Sequence, residues 1–222
     1  MKLLHRSPEH EFESSYGLPE ALPAGEQILW QGSPNWFSLA RHAFHLPALS
    51  AYFSFIILAK IISVALGDVA WSAELGSIAL VIALSLLGLG LVAYLAYLAA
   101  QTTVYTLTNQ RVVMRVGIVL TVSFNLPFKR IVRADIHEFA DGTGNIPLQL
   151  AASDKIAYFH LWPHARPWYF AHPEPMLRSI PNVTVVAQQL TSAWQTVHTH
   201  QVMSNVSTGN AFTELAVEEQ VA

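Results

Sequence analysis

The sequence predicts an α+β membrane protein: a two-helix transmembrane hairpin, then an antiparallel β-barrel or sandwich, then a capping C-terminal α-helix. Three observations carry this. Phe44–Leu66 and Leu75–Ala100 are apolar stretches, each long enough for a span, which takes roughly 20 residues to cross ~30 Å of hydrocarbon. From Thr102 the pattern changes to period two, with β-branched and aromatic residues between turn signals. Near the end, Val183, Val186, Ala187, Leu190, Trp194 and Val197 form one apolar helical stripe.

Composition bounds the class. Only 12% of the 222 residues are charged, about half the usual ~25%, and the apolar surplus sits in the hairpin. The net charge of −3 offers no basic field for nucleic acid, so no nucleic-acid partner is expected. The absence of Cys removes disulfides, thiolate catalysis and thiolate metal sites. Met1 to Arg6 lead into acidic, Pro-containing sequence instead of an apolar core, so a cleavable signal peptide is not expected.

Residues 1–27 are polar and acidic and read as a mobile arm, or one that orders on a partner. Residues 28–45 read as an interfacial segment. Trp36 suits the headgroup level, while Trp30 could equally pack on the soluble domain. The hairpin is expected over 46–100, with spans at about 47–66 and 75–100. Pro47 fits the first helical turn, where its missing N–H costs nothing. Lys60 is the one charge inside the first span; it could snorkel to the headgroups or meet a partner subunit.

The connection Gly67–Glu74 is short, so the spans must be antiparallel neighbours; Trp71 marks the interface there. Tyr94 and Tyr97 mark the other interface, near the exit of the second span. Two small-residue rows (Gly76, Ala79 and Ala83, then Ala93, Ala96 and Ala100) allow close helix approach. They would serve the hairpin itself, another membrane protein, or a second copy in a homo-oligomer. Eleven of the twelve Lys and Arg residues flank the hairpin. The positive-inside rule therefore puts both termini of this multi-pass chain in the cytoplasm.

A soluble domain is expected over 101–200. Its strands read as Thr102–Thr108, Arg111–Gly117, a run through Ile118 and Phe124, Phe128–Phe139, a segment from Ile146 to Leu150, and Lys155–Trp162. Asn109-Gln110 and Asp141–Asn145 read as turns. A Pro- and aromatic-rich loop, Trp162–Pro175, precedes the helix, for which Asn182 is a plausible N-cap. Residues 201–222 read as a flexible acidic tail.

The run YTLTNQRVVMRVGI (Tyr105–Ile118), with NLPFKRI (Asn125–Ile131) and DGTGNIPLQL (Asp141–Leu150), resembles the bacterial pleckstrin-homology domain family. The arm at Leu22–Trp36 and the segment Arg166–Asn182 are most similar to its photosynthetic complex assembly proteins of purple phototrophic bacteria. That resemblance implies a pleckstrin-homology-like β-barrel. It also implies a non-enzymatic assembly factor acting on photosynthetic reaction centre and core antenna subunits. The expected location is the bacterial inner, intracytoplasmic photosynthetic membrane. The alternative is a general membrane-surface adaptor of the same family, binding lipid or other membrane proteins.

No cofactor is expected. None of the ten His residues shows metal-ligand spacing; Pro163 separates His160 from His164, and no His lies within either core span. Asp141–Asn145 lacks the third glycine of a dinucleotide fingerprint. No nucleophile elbow is present, so no catalytic residue is assigned. Lys129, Arg130 and Arg133 form a basic cluster on one predicted strand that could meet anionic lipid, or could be a solvated face. Partner contact is expected at Lys60 and in the aromatic loop at Trp168, Tyr169, Pro173 and Pro175. The competing reading is that Trp168 and Tyr169 close the bottom of the barrel.

Overall fold

The computed structural model describes residues 17–18, 20–67, 70–151 and 156–199. Strand β1 (Ile28–Gly32) and helix α1 (Trp36–His42) precede the hairpin of α2 (Leu46–Leu66) and α3 (Trp71–Thr102). Strands β2 (Val104–Thr108), β3 (Arg111–Val116), β4 (Val122–Pro127), β5 (Ile131–Ala134), β6 (His137–Glu138) and β7 (Thr143–Leu150) follow. Then come a helical turn α4 (Tyr158–Leu161), strand β8 (Met176–Pro181) and helix α5 over residues 183–199. The expected arm, short of Glu20, lies almost wholly outside the described residues, as does the expected tail.

Helices α2 and α3 are the two candidate membrane-spanning helices, and only 6% of each apolar window is buried within the chain. A core helix of a soluble domain would be mostly covered; these two expose their apolar sides. They pack along one stripe each. Phe53 of α2 stands against Gly88 of α3, and Val64 of α2 and Ser85 of α3 are buried. Ser85 returns its hydroxyl proton to the Val81 carbonyl, so no polar group is left open there.

The short polar connection is shorter than the sequence suggests, because α3 begins at Trp71 and takes Glu74 into its first turn. Glu74 then accepts from the Lys60 ammonium at 2.8 Å. At 32 residues, α3 is about 48 Å long at ~1.5 Å per residue, well beyond the hydrocarbon. Its last turns leave the apolar layer and become part of the folded domain: Leu39 of α1 packs on Ala99 and Ala100 with Ala43 and Phe44 beside them.

The first sheet has the order β1-β2-β3-β4, all antiparallel. Residues 28–45, expected as an interfacial segment, therefore divide: β1 joins the sheet domain and only α1 approaches the hairpin. Trp30 goes with the sheet, partly buried against the main core. Because β1 pairs with β2 across the hairpin, with Gly32 opposite Tyr105, both ends of the hairpin lie on the same side of any membrane it crosses. Glu26, within the expected mobile arm, is also fastened down. It makes a bidentate pair with Arg111 at 2.8 and 2.9 Å and accepts from the Thr108 hydroxyl at 2.7 Å.

In the second sheet β7 is the hub. It pairs with β5 near Leu148 and Leu150, with β6 near Gly144 and Asn145, and with β8 along its other edge. Among the described residues no strand pairs one sheet to the other, so the barrel is open: two four-stranded sheets around one core. Val112, Met114 and Val116 of β3 point into that core as their alternation requires, with Ile146 and Leu148 of β7 opposite. Helix α5 covers the core through the predicted stripe, from Val183 to Leu190, with Trp194 and Val197 at its margin. Gly144 permits this approach, since a Cβ there would stand 2.6 Å from the Val183 Cγ1.

Three expectations about the strands are corrected. The run through Ile118 and Phe124 is broken by a loop at residues 117–121, where Gly117 takes φ +127°, and β4 starts only at Val122. Phe128–Phe139 is not one extended run, because Phe128–Arg130 forms a 3-10 turn. Tyr158–Leu161 is helical, not strand, and the last strand is β8, hidden between the aromatic loop and α5. Asn182, the expected N-cap, does stand immediately before α5, with φ +51° and its carbonyl accepting from the Val185 N–H at 3.0 Å.

Candidate functional site

Several of the most exposed apolar side chains of the domain lie at the end next to the hairpin, although Ile28, Leu29 and Val185 are exposed elsewhere. Strand β2 leaves α3 at Val104 and runs away from the hairpin to Thr108. Residues level with Val104 are therefore near the membrane, and those level with Thr108 are remote. Arg115 pairs with Val104, so the loop that follows β3 is at the near end, where Val119 is 90% and Leu120 82% exposed. The sequence pattern hides this tip, because its alternation reads as strand.

Trp36 joins the same end through its edge contact with Tyr97, ring centroids 6.2 Å apart. Tyr94 is exposed one turn further into α3, and Trp71 is exposed at the other end of that helix. These four are the aromatics expected at the membrane interface: Trp71 starts α3, and Tyr94 and Tyr97, with Trp36 against Tyr97, lie toward its other end.

The aromatic loop is also at the near end. Trp162 meets Phe44, two residues before α2, with centroids 5.7 Å apart. Phe159 projects from α4, and Trp168 is 86% exposed with φ +69°. A bulky residue in the left-handed region is uncommon. Trp168 therefore does not close the domain. Tyr169 lies against the Arg166 guanidinium, 4.3 Å from its centroid, while Arg166 is held by Glu174 at 2.8 Å. Pro173 is half-buried. Pro175 is buried in the Ala165 bridge, and its carbonyl accepts from the Leu148 N–H. Of the four loop candidates, Pro175 is thus structural and is withdrawn as a contact.

The basic cluster divides. Lys129 and Arg130 stand in the 3-10 turn, which is tied to the Asn109–Gln110 turn by the Phe128 N–H donating to the Gln110 carbonyl. That is the remote end, which argues against lipid contact at either residue. Arg133, on β5, is paired with Asp135 at 2.7 Å, toward the near end. Lys60 is neutralised by Glu74 inside its own chain, so neither snorkelling nor a partner is needed to satisfy it. Signals for this pair existed in the sequence, since a short connection brings Lys60 and Glu74 to matching depths.

The small-residue rows also have different fates. Ala96 and Ala100 are consumed by packing within the chain, whereas Gly76, Ala79 and Ala83 remain exposed on α3.

A buried polar chain joins α3 to the sheets, and nothing in sequence spacing announces it. The Thr103 hydroxyl donates to the Ala99 carbonyl at 2.7 Å. It must then accept from Nε2–H of His164 at 3.1 Å, which leaves Nδ1 to accept from the Tyr105 phenol at 2.6 Å. The Tyr105 oxygen in turn accepts from the Arg178 N–H. Burial, with the Arg178 charge adding to it, depresses the His164 pKa to about 3, and burial raises that of Tyr105. Both side chains are therefore neutral, and they serve as a rigid strut. Among the described residues no group of three His, Asp or Glu side chains is placed to hold a metal ion.

A membrane-anchored, open two-sheet domain capped by a C-terminal helix defines the class. The chain belongs to the bacterial PH domain family, whose description matches residues 51–194 and so takes in most of the first candidate span and all of the second. It is also similar to a Rhodobacter capsulatus protein described as "Uncharacterized 23.7 kDa protein in puhA 5'region". The two are 35% identical over 219 residues, which cover 95% of this chain and 98% of that protein. No solved structure matches the chain.

Proposed function

We propose that this protein is a non-enzymatic, membrane-anchored assembly factor for the photosynthetic reaction centre–core antenna complex of a purple-type phototroph. The similarity to a Rhodobacter capsulatus protein of the puhA region carries this reading, because it extends over nearly the whole of both chains, hairpin and domain alike. Two features of the molecule support it. The near end of the domain offers exposed aromatics, above all Trp168, of the kind that anchor protein contacts. The face of α3 bearing Gly76, Ala79 and Ala83 is open for another membrane helix, of a partner or of a second copy. In this reading both termini are cytoplasmic and the membrane is the intracytoplasmic photosynthetic one.

The test is a deletion strain. Reduced reaction centre–antenna complex, restored by the intact gene, is the expected result; normal levels of complex would sink the proposal. A second reading, a general membrane-surface adaptor, is favoured by the exposed tip of Val119 and Leu120 beside the hairpin. Affinity purification separates the two: photosynthetic subunits co-purify under the first reading and are absent under the second.

A further inference from the structure

Arg178 of β8 is only 8% exposed, its Nε makes no hydrogen bond, and no carboxylate pairs with it among the described residues. The other charges around it are matched. Asp135 holds Arg133 through Oδ1 and Arg166 through Oδ2, and Glu174 holds Arg166. The buried groups nearest in the polar chain, Tyr105 and His164, are neutral and supply no counter-charge. A guanidinium does not shed its proton, and a buried unmatched charge is costly, so the fold leaves a standing demand for an anion.

Beside Arg178 is a cavity of about 460 Å³, walled also by Arg166, His42, His137 and Asn145. Asp135 is the one acid in that wall, and both its oxygens are already engaged. His42 ends α1, stacks on Phe139 with centroids 3.7 Å apart, and stands just before the start of α2. The cavity thus opens next to the point where the chain enters the hairpin.

We infer that this cavity binds a phosphate-bearing anion, with Arg178 as its charge partner. The planar fork of an arginine matches phosphate oxygens in pairs. A lipid headgroup and free phosphate share that chemistry, and the position at the membrane-facing end favours the headgroup. This inference is independent of the assembly reading; either can fail alone.

The experiment uses the full-length protein. Its thermal midpoint is measured in neutral detergent with inorganic phosphate against chloride at matched ionic strength. It is then measured in nanodiscs of phosphatidylcholine with and without phosphatidylglycerol. A midpoint raised by several degrees in either arm is expected. A rise with phosphatidylglycerol alone identifies the headgroup as source, and a rise with phosphate identifies a free anion as sufficient. No rise in either arm overturns the inference.

Arg178→Met should abolish the rise without lowering the midpoint in chloride; a rise that survives it overturns the inference. Asn145→Asp keeps the acceptor for the Ser179 N–H, now at 2.9 Å, and adds a fixed negative charge to the wall. It should weaken the apparent affinity about tenfold or more. This variant carries the test if Arg178→Met does not fold, and unchanged affinity in it also overturns the inference.

Discussion

The Tyr105 phenol donates to Nδ1 of His164 across 2.6 Å, and that contact fixes the last turn of a membrane helix to a β-sheet domain. On one side Tyr105 takes the Arg178 N–H; on the other His164 reaches Thr103 and, through it, the Ala99 carbonyl of α3. Removing the phenol leaves two buried groups without partners. Tyr105→Phe should cost about 2 kcal/mol or more of domain stability, read as a lower denaturant midpoint by Trp fluorescence.

His164 also sets an acid limit. Its folded pKa is about 3 against an ordinary 6.5, so the unfolded chain binds a proton the folded chain refuses. Its contribution is complete above 6.5 and is lost as pH falls from 6.5 toward 3. The loss is about 1 kcal/mol per pH unit in that window. His164→Gln should flatten this part of the stability profile relative to the native chain; parallel profiles would refute the assignment.

Within the hairpin, Lys60 and Glu74 neutralise each other at 2.8 Å. Glu74→Gln should leave the Lys60 ammonium without its partner and lower hairpin stability. Changing both, Lys60→Met with Glu74→Leu, should recover most of that. Protease resistance in membranes reports it, and a double variant as labile as the single one would contradict the pairing.

Glu26 is 5% exposed at its side chain and receives both prongs of Arg111. Glu26→Ala should destabilise the domain by about 2 kcal/mol. Arg111→Lys should not substitute for the native pair, because an ammonium cannot make the fork. Urea unfolding of the two variants checks both statements.

Trp168, by contrast, carries almost no packing. Trp168→Ala should leave stability within about 0.5 kcal/mol while reducing retention of partner subunits in affinity purification. Loss of the folded domain would instead make it a structural residue.

What the sequence made legible is what periodicity encodes. The two spans, the alternation of Val112, Met114 and Val116, and the stripe of α5 follow from runs long enough to show a period. β8 escaped because Met176–Pro181 is short and buried on nearly every residue, so it alternates little. The exposed tip at Val119 and Leu120 escaped because apolar alternation continues through it. Glu26, Tyr105, His164 and Arg178 depend on contacts between residues far apart in sequence, and no local pattern reports those. For Lys129 and Arg130 the sequence left lipid contact and a solvated face both open, and strand direction places them at the remote end.

The pairing of β1 with β2 also imposes an order on biosynthesis. β1 leaves the ribosome first, as an edge without its neighbour; that neighbour is made only after both helices of the hairpin. The first sheet therefore cannot be completed until the hairpin has been synthesised and its two ends have come to the same side. A chain that inserted only one helix would strand β1 across the bilayer from β2. Completion of the sheet thus serves as a proofreading step for topology, and a stalled or half-inserted chain would expose an unpaired β2 edge to quality-control proteases.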